Sequence, residues 1–181
     1  GAKLYVTDST EYLFHVDPTS YAELARMPVL DPRLAGYGNG KPAWYPGSQS
    51  YAKEGPMPIY GVNELEMVEG ELWGNVYPMY QNSASQCLVR INATDASVLG
   101  WVDLRGLLAK QRAEVTRSPT HLVLNGIAYH DDSKRLYVTG KQWDKMYQIR
   151  VKPAESSQQN PAHVHSVCSL GAVGTTRLGL G

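Results

Sequence analysis

The chain has 181 residues with 17 basic and 17 acidic side chains, so its formal net charge is zero. This balance argues against the basic surface that nucleic acids and anionic membranes require. The length suits one domain with one core, and no apolar run is long enough to span a bilayer. Seventeen glycines, eleven prolines and twelve tyrosines favour an all-β fold, because turns and aromatic strands use these residues.

The first thirty or so residues alternate short apolar runs with turns. Residues 3–7 and 12–16 are predicted strands around a polar turn. Residues 22–29 suit a third strand, but their loose alternation would also suit a helix.

Residues 31–58 have no apolar periodicity and are rich in Gly, Pro, Ser and Tyr. Loops of this length are commonly functional or disordered. Tyr37, Trp44, Tyr45 and Tyr51 make the segment more aromatic than a disordered linker. We therefore predict an inserted, ordered loop that covers one face of the fold or contacts a partner; a mobile insertion is the alternative.

Residues 62–102 are predicted to form a sheet of four strands, at 62–67, 71–77, 86–92 and 96–102. The triplet Asn92-Ala93-Thr94 between the last two is an N-glycosylation sequon, which matters only in a chain that enters a secretory lumen. Otherwise it is a polar turn. Asp103 is an N-cap-type residue for a short helix over 103–112, which Gly106 weakens by roughly 1 kcal/mol.

The most informative stretch is 124–143, LNGIAYHDDSKRLYVTGKQW. It predicts a hairpin with a polar turn at 130–134, and residues 145–151 suit a third strand. Residues 153–181 are predicted to be a loop, a possible last strand over 164–170 and a Gly-rich tail. His163 and His165 would share a face of that strand, but no third ligand accompanies them, so no metal site is predicted.

The two cysteines, Cys87 and Cys168, are too few for a disulfide scaffold or a zinc ribbon. A single bridge between them stays open for a secreted chain, because sequence alone does not supply the geometry that a bridge requires.

Both hairpins follow one plan: a strand with an asparagine, a short turn, and a returning strand with an aromatic residue near its end. The motifs NELE, ELWGNVY, GWVDL, VLNGIAY and RLYVTGKQW occur in that order. With them the chain, from about Leu4 to Val151, resembles the glutaminyl-peptide cyclotransferases of the plant and bacterial type.

The resemblance implies a five-bladed β-propeller, of which this chain would form about two complete blades and most of a third. Residues 22–29 are then a strand, and 1–181 is a single partial domain. The N-terminal blades of the family, which carry its catalytic glutamate, have no counterpart here. We therefore expect a missing propeller half or other protein subunits as partners.

These enzymes cyclise an N-terminal glutamine to pyroglutamate and release ammonia, without a cofactor. The reaction needs donors for the developing oxyanion, a carboxyl group for proton transfer and a largely dry pocket. Motif matching assigns the catalytic roles to Lys141 and Asn63. The expected substrate-binding residues are Tyr77, Glu64, Trp143 and Asn125.

Two positions depart from the family pattern. Tyr77 stands where the family usually has a tryptophan, and Asp144 where it usually has proline. Glu64 and Glu66 are the nearby carboxylates, but neither inherits the role of the family's acid.

Two functions follow. The chain is either part of a cyclase that acts on peptides with N-terminal glutamine once the missing blades are present, or a non-catalytic structural or binding subunit derived from a propeller. The resemblance favours a secretory, extracellular or organelle-lumen location.

Overall fold

The computed structural model describes residues 2–37, 54–77, 86–108, 110, 123–157 and 159–168. The described chain is mostly antiparallel β-sheet with few helical residues, which confirms the all-β prediction at that level. No described helix has both the length and the apolar character needed to cross a membrane.

Three antiparallel sheets of three or four strands follow one another along the described chain, and a two-stranded sheet lies between the first two in sequence. The first sheet contains β1 (Leu4–Thr7), β2 (Tyr12–Val16) and β3 (Glu23–Pro28). The middle sheet contains β6 (Val62–Val68), β7 (Glu71–Val76), β8 (Cys87–Asn92) and β9 (Val98–Asp103). The last sheet contains β10 (Leu124–His130), β11 (Arg135–Gly140) and β12 (Tyr147–Ile149).

The predicted insertion begins and ends in ordered structure. Two short strands, β4 (Leu30–Asp31) and β5 (Met57–Pro58), pair antiparallel and bring its ends together. The Asp31 side chain is fully buried and accepts a hydrogen bond from Trp101 Nε1 at 2.7 Å. This bond holds the β4–β5 pair against β9. Trp44, Tyr45 and Tyr51 lie outside the described residues, so the prediction for the body of the insertion stays a prediction.

The middle sheet is packed on both faces. One face joins the first sheet in a core that includes Leu13, Val29, Val62, Leu72 and Val89. The other face joins the last sheet in a second core formed by Val68, Trp73, Leu88, Val102, Leu124, Ile127, Leu136 and Val138. Each such side chain stabilises the fold by roughly 1.5–3 kcal/mol on burial. The middle sheet is therefore the frame against which both neighbours are aligned.

The last strand predicted over 164–170 is wrong for residues 164–168, which belong to helix α2 (Pro161–Cys168). Asn160 begins this helix, because its Oδ1 accepts a hydrogen bond from the Ala162 N–H at 2.8 Å. Pro161 then has the backbone angle that suits the first helical position. As a result, His163 and His165, two apart on a helix, do not share one face.

The described residues form one four-stranded sheet, two three-stranded sheets and the two-stranded β4–β5 sheet. The number of propeller blades implied by the family resemblance stays a prediction. The short helix after β9 is confirmed as α1 (Arg105–Leu108), and Asp103 Oδ1 accepts from the Arg105 N–H at its start.

A disulfide joins Cys87, the first residue of β8, to Cys168, the last residue of α2. Both cysteines are buried, and they lie 81 residues apart in sequence. The His165 ring also packs 5.0 Å from the Tyr37 ring. The bridge that sequence left open therefore ties α2 to the middle sheet.

Candidate functional site

The site is built where the middle and last sheets meet, at the same end of both. Tyr77 directly follows β7, and its N–H donates to the Gly61 carbonyl at 2.7 Å. Lys141 directly follows β11, and its N–H donates to the Val123 carbonyl at 2.9 Å. Each residue thus pairs with the position just before the first strand of its own sheet. Tyr77 and Lys141 occupy equivalent places in two related hairpins.

Two contacts cross from one sheet to the other at this end. Asn63 Nδ2 donates to Asn125 Oδ1 at 3.4 Å, a long hydrogen bond. Lys141 Nζ lies 4.7 Å from the centre of the Tyr77 ring, within cation–π range. The structure therefore brings Asn63, Asn125, Tyr77 and Lys141 together in two cross-sheet pairs.

A β-bulge lies directly after Asn63, and a second one includes Asn125. The β6–β7 register shifts between Asn63 and Leu65, and Glu64 between them has φ +55°. The β10–β11 register shifts between Leu124 and Ile127, and Gly126 has φ +149°. An added residue bends a strand locally and re-aims its neighbours. The bulges therefore set the direction of both asparagine side chains.

Gly126 has a steric reason as well as a backbone reason to be glycine. A Cβ at this position would lie 2.6 Å from Thr139 Cγ2 on the paired strand β11. A residue with a Cβ fits there only if the Thr139 side chain moves. The bulge is therefore locked against its own hairpin.

Asn75 is a residue of this cluster that sequence reasoning missed. It lies opposite Asn63 in the β6–β7 pairing and is only 1% exposed. Its Oδ1 accepts a hydrogen bond from the Gly126 N–H at 3.1 Å, while its Nδ2 has no partner among the described residues. A buried donor left unpaired costs about 1–3 kcal/mol. The signal in the sequence was one amide inside the otherwise apolar strand of LWGNVY.

The two carboxylates near Asn63 differ in their surroundings. Glu66 Oε1 accepts a hydrogen bond from the Tyr129 N–H at 2.7 Å, so it joins β6 to β10. Glu64 is exposed on the bulge. Glu66 thus has a structural partner, whereas Glu64 lies beside the asparagine pair on the solvent side.

Trp143 is close to Lys141 in sequence and contacts Gly140, the residue before Lys141. The backbone N–H of Trp143 donates to the Gly140 carbonyl at 3.2 Å. The indole ring lies so close to Gly140 that a Cβ there would clash with it. The Trp143 and Tyr147 rings are 6.2 Å apart. Trp143 therefore fixes the backbone just before Lys141. Asp144, the other departure from the family pattern, is exposed.

In the described parts of the chain, no three His, Cys, Asp or Glu side chains come together as a metal site. The chemistry of the cluster rests on amide groups, one ammonium group and one aromatic face.

Comparisons with known proteins identify the family of this chain. The glutamine cyclotransferase family model matches residues 47–151. A glutaminyl-peptide cyclotransferase from Arabidopsis thaliana is 35% identical over 164 residues, which cover 88% of this chain and 40% of that protein.

The crystal structure of Myxococcus xanthus glutaminyl cyclase is similar in fold, with a TM-score of 0.61 at 22% identity. The match covers 86% of this chain and 53% of that one. The chain thus spans about half or less of the length of these relatives. Since the family model covers more than half of its residues, the chain belongs to the glutamine cyclotransferase family.

Proposed function

We propose that this chain forms the substrate-orienting part of a glutaminyl-peptide cyclotransferase, which converts an N-terminal glutamine to pyroglutamate and releases ammonia. The observation that carries the proposal is the pair of cross-sheet contacts, Asn63 with Asn125 and Lys141 with Tyr77, in a member of this family. These residues suit two requirements of the reaction: stabilisation of the oxyanion and orientation of the substrate.

In the reaction, the α-amine of the substrate attacks the carbon of its own side-chain carboxamide. A C–N bond forms, the carbonyl oxygen becomes an oxyanion, and ammonia leaves as the carbonyl returns. Lys141 offers three N–H donors and a positive charge to that oxygen. Asn63 offers its side-chain N–H, and removing one such donor typically costs 10²–10³-fold in turnover, about 2.7–4 kcal/mol.

Asn125 and Tyr77 have orienting roles in this proposal. Asn125 accepts from Asn63 and holds its amide in one rotamer. The Tyr77 ring holds the Lys141 ammonium and covers one side of the substrate with an aromatic face, which limits the access of water.

Asn75 acts one step behind them as a positioning residue. Its bond to the Gly126 N–H holds the bulge that directs Asn125. Asn75 thus acts on the asparagine pair through Gly126, whose positive φ is open to glycine.

Proton transfer from the attacking amine to the leaving ammonia requires a carboxyl group. We assign this role to neither nearby glutamate. Glu66 is bound to the β10 backbone, and Glu64 is exposed where water competes. The acid would come from the N-terminal blades, as the family resemblance implies, with the three sheets acting as blades of a five-bladed propeller. A location in a secretory lumen is proposed from the disulfide, since such bridges persist in oxidising compartments.

The test is ammonia release from a peptide with N-terminal glutamine, with mass spectrometry of the peptide product. We expect no turnover from the isolated 181 residues, because the proton-transfer carboxyl is lacking. We expect turnover from the polypeptide as its own cells make it. Turnover by the isolated chain that Lys141→Ala abolishes would contradict the first expectation and point to Glu64 as the acid. No turnover by the cell-made polypeptide would contradict the proposal and leave a non-catalytic binding or structural subunit.

A further inference from the structure

The turn between β8 and β9 holds the sequon Asn92-Ala93-Thr94, which the cyclase chemistry does not use. It lies at the far end of the middle sheet from the candidate site. Asn92 pairs with Glu71, the first residue of β7, whereas Tyr77 directly follows the last. Six strand residues span roughly 20 Å at about 3.3 Å each. A bulky group on this turn would therefore leave the candidate site open.

The hydrogen bonds that hold the backbone of the turn do not involve the side-chain amide nitrogen of Asn92, Nδ2. The Asn92 N–H donates to the Ser97 carbonyl, and the Ala96 N–H donates to the Asn92 carbonyl, both at 2.9 Å. His15 Nε2 donates to the Ala93 carbonyl at 3.0 Å, which joins the turn to the first sheet. Substitution on the side chain of Asn92 breaks none of these bonds.

The acceptor side chain is free to react. Asn92 is partly exposed, and Thr94 is exposed. Asn92 Oδ1 accepts from the Thr94 N–H at 2.8 Å, while Nδ2 makes no hydrogen bond within the described residues. The nitrogen to which a glycan would be attached is therefore not used by a hydrogen bond in the described part of the chain.

The disulfide supplies an independent observation about the compartment. Cys87 and Cys168 are bridged although 81 residues separate them, and such bridges persist where the environment is oxidising. In cells with a secretory pathway, that same lumen is where Asn-X-Ser/Thr acceptors are glycosylated. Two unrelated features of the middle sheet thus point to one location.

We propose that Asn92 is an N-glycosylation site. The donor class is an oligosaccharide linked to a lipid pyrophosphate. A bond forms between Asn92 Nδ2 and C1 of the first sugar, the bond from C1 to the pyrophosphate oxygen breaks, and Nδ2 gives up one proton to the transferase. The lipid pyrophosphate is the leaving group, and no oxidation or reduction takes place.

The test uses the protein isolated from its own cells. It is digested with peptide N-glycosidase in heavy-oxygen water, and the peptide that contains position 92 is measured by mass spectrometry. We expect a heavy-oxygen aspartate at position 92, together with an intact Cys87–Cys168 bridge in the undigested protein. An unmodified Asn92 throughout, whether the cysteines are bridged or reduced, overturns the proposal.

A pair of variants at one exposed position provides the matched control. Thr94→Ser removes only the methyl group, keeps the sequon and should keep the glycan, whereas Thr94→Ala removes the hydroxyl as well and should lose it. Both variants keep the Thr94 backbone bond to Asn92, so neither disturbs folding. A glycan that persists in Thr94→Ala would show that another residue carries it. Neither result bears on the cyclase reaction, because the glycan and the candidate site lie at opposite ends of the sheet.

Discussion

The middle and last sheets share a backbone plan at one end and differ in the side chains that they present there. Asn63 and Asn125 are each the second residue of a first strand; a bulge directly follows Asn63, and another includes Asn125. One residue past the second strand, the middle sheet has Tyr77 and the last sheet has Lys141. The shared backbone makes the two ends face each other, and the difference places a cation over an aromatic ring. Each sheet thus supplies half of each pair.

The middle and last sheets also differ in how their outer edges are held. The middle sheet has its fourth strand, β9, and is pinned to α2 by the disulfide. The last sheet has three strands in the described chain, and Met146 beside β12 is 66% exposed. Elements with fewer buried contacts open at lower free energy. We therefore expect the middle sheet to be the stable frame and the last sheet to be the element that adjusts to substrate.

The largest expected effect is on turnover. In the polypeptide as its own cells make it, Lys141→Ala should lower turnover about 10²–10³-fold, because it removes the charged donor to the oxyanion. Lys134→Ala is the matched control, since Lys134 lies at the other end of the same hairpin in an exposed pair with Asp131. It should leave ammonia release unchanged. Equal losses of turnover in the two variants would contradict the role of Lys141 as a donor to the oxyanion.

The frame role of the middle sheet is tested by Cys168→Ala. We expect the free energy of unfolding to fall by about 2–4 kcal/mol, since the bridge closes a long loop. Hydrogen exchange should quicken mainly in β8, β9 and α2, with β10 and β11 less affected. Reduced wild-type protein should lose a similar amount in a denaturant titration. An unchanged denaturation midpoint would contradict the assignment of α2 as an anchored element.

The two bulges are predicted to respond differently to alanine. Gly126→Ala forces a side chain into positive φ and against Thr139 Cγ2, which should lower the free energy of unfolding by about 2–3 kcal/mol. Glu64→Ala should change it by less than about 0.5 kcal/mol, because Glu64 already has a side chain there and is exposed. Urea unfolding of both variants measures this difference. Equal changes would mean that the bulges are interchangeable.

Variants of Asn75 and Asn63 distinguish a residue that positions the site from one that contacts the substrate. Asn75→Ala leaves the Gly126 N–H without its acceptor, so we expect a loss of about 1–2 kcal/mol in stability. Asn63 is partly exposed, and Asn63→Ala should cost less stability but lower kcat more. The measurements are unfolding free energy and steady-state kinetics for both variants. The reverse ranking would make Asn63 structural and Asn75 the closer residue.

The smallest expected effect concerns pH and helix α2. Burial lowers the pKa of His165 below its usual 6.5, and a hydrogen bond with the Tyr37 backbone opposes this only in part. The unfolded chain therefore binds a proton at His165 more readily than the folded chain. Stability from this residue is full above pH 6.5 and declines as the pH falls below it. His165→Phe should flatten that part of a plot of melting temperature against pH; an unaltered slope would exclude His165 as its cause.

The strands were predictable from the sequence because their signal is local. Apolar runs and turn residues mark β6, β7, β10 and β11 directly. Helix α2 was wrongly predicted as a strand because a short run with Val164 and Val167 suits either element. The helix start at Asn160-Pro161 was the signal that distinguishes them. The placement of α2 against the middle sheet depends on a bridge across 81 residues, which no local pattern encodes.

The residues of the candidate site were predicted through family resemblance alone, and their role in a site stays a prediction. Asn63 and Lys141 stand in recognisable motifs, but their cross-sheet partners were not readable from spacing. Asn75 was missed because its bond to Gly126 joins residues 51 apart. Positive φ at Glu64 was also hidden, since glutamate is not a residue that signals a left-handed backbone.

The central claim is that one substrate contacts both sheets at once, and NMR titration of the 181-residue chain tests it most directly. A peptide with N-terminal glutamine is added, with the same peptide beginning in alanine as the control. We predict that only the glutamine peptide shifts the side-chain amide signals of Asn63 and Asn125 and the backbone amide of Lys141, while Asn92 at the far end stays unchanged. Shifts confined to one sheet, or identical shifts with the alanine peptide, would contradict the account.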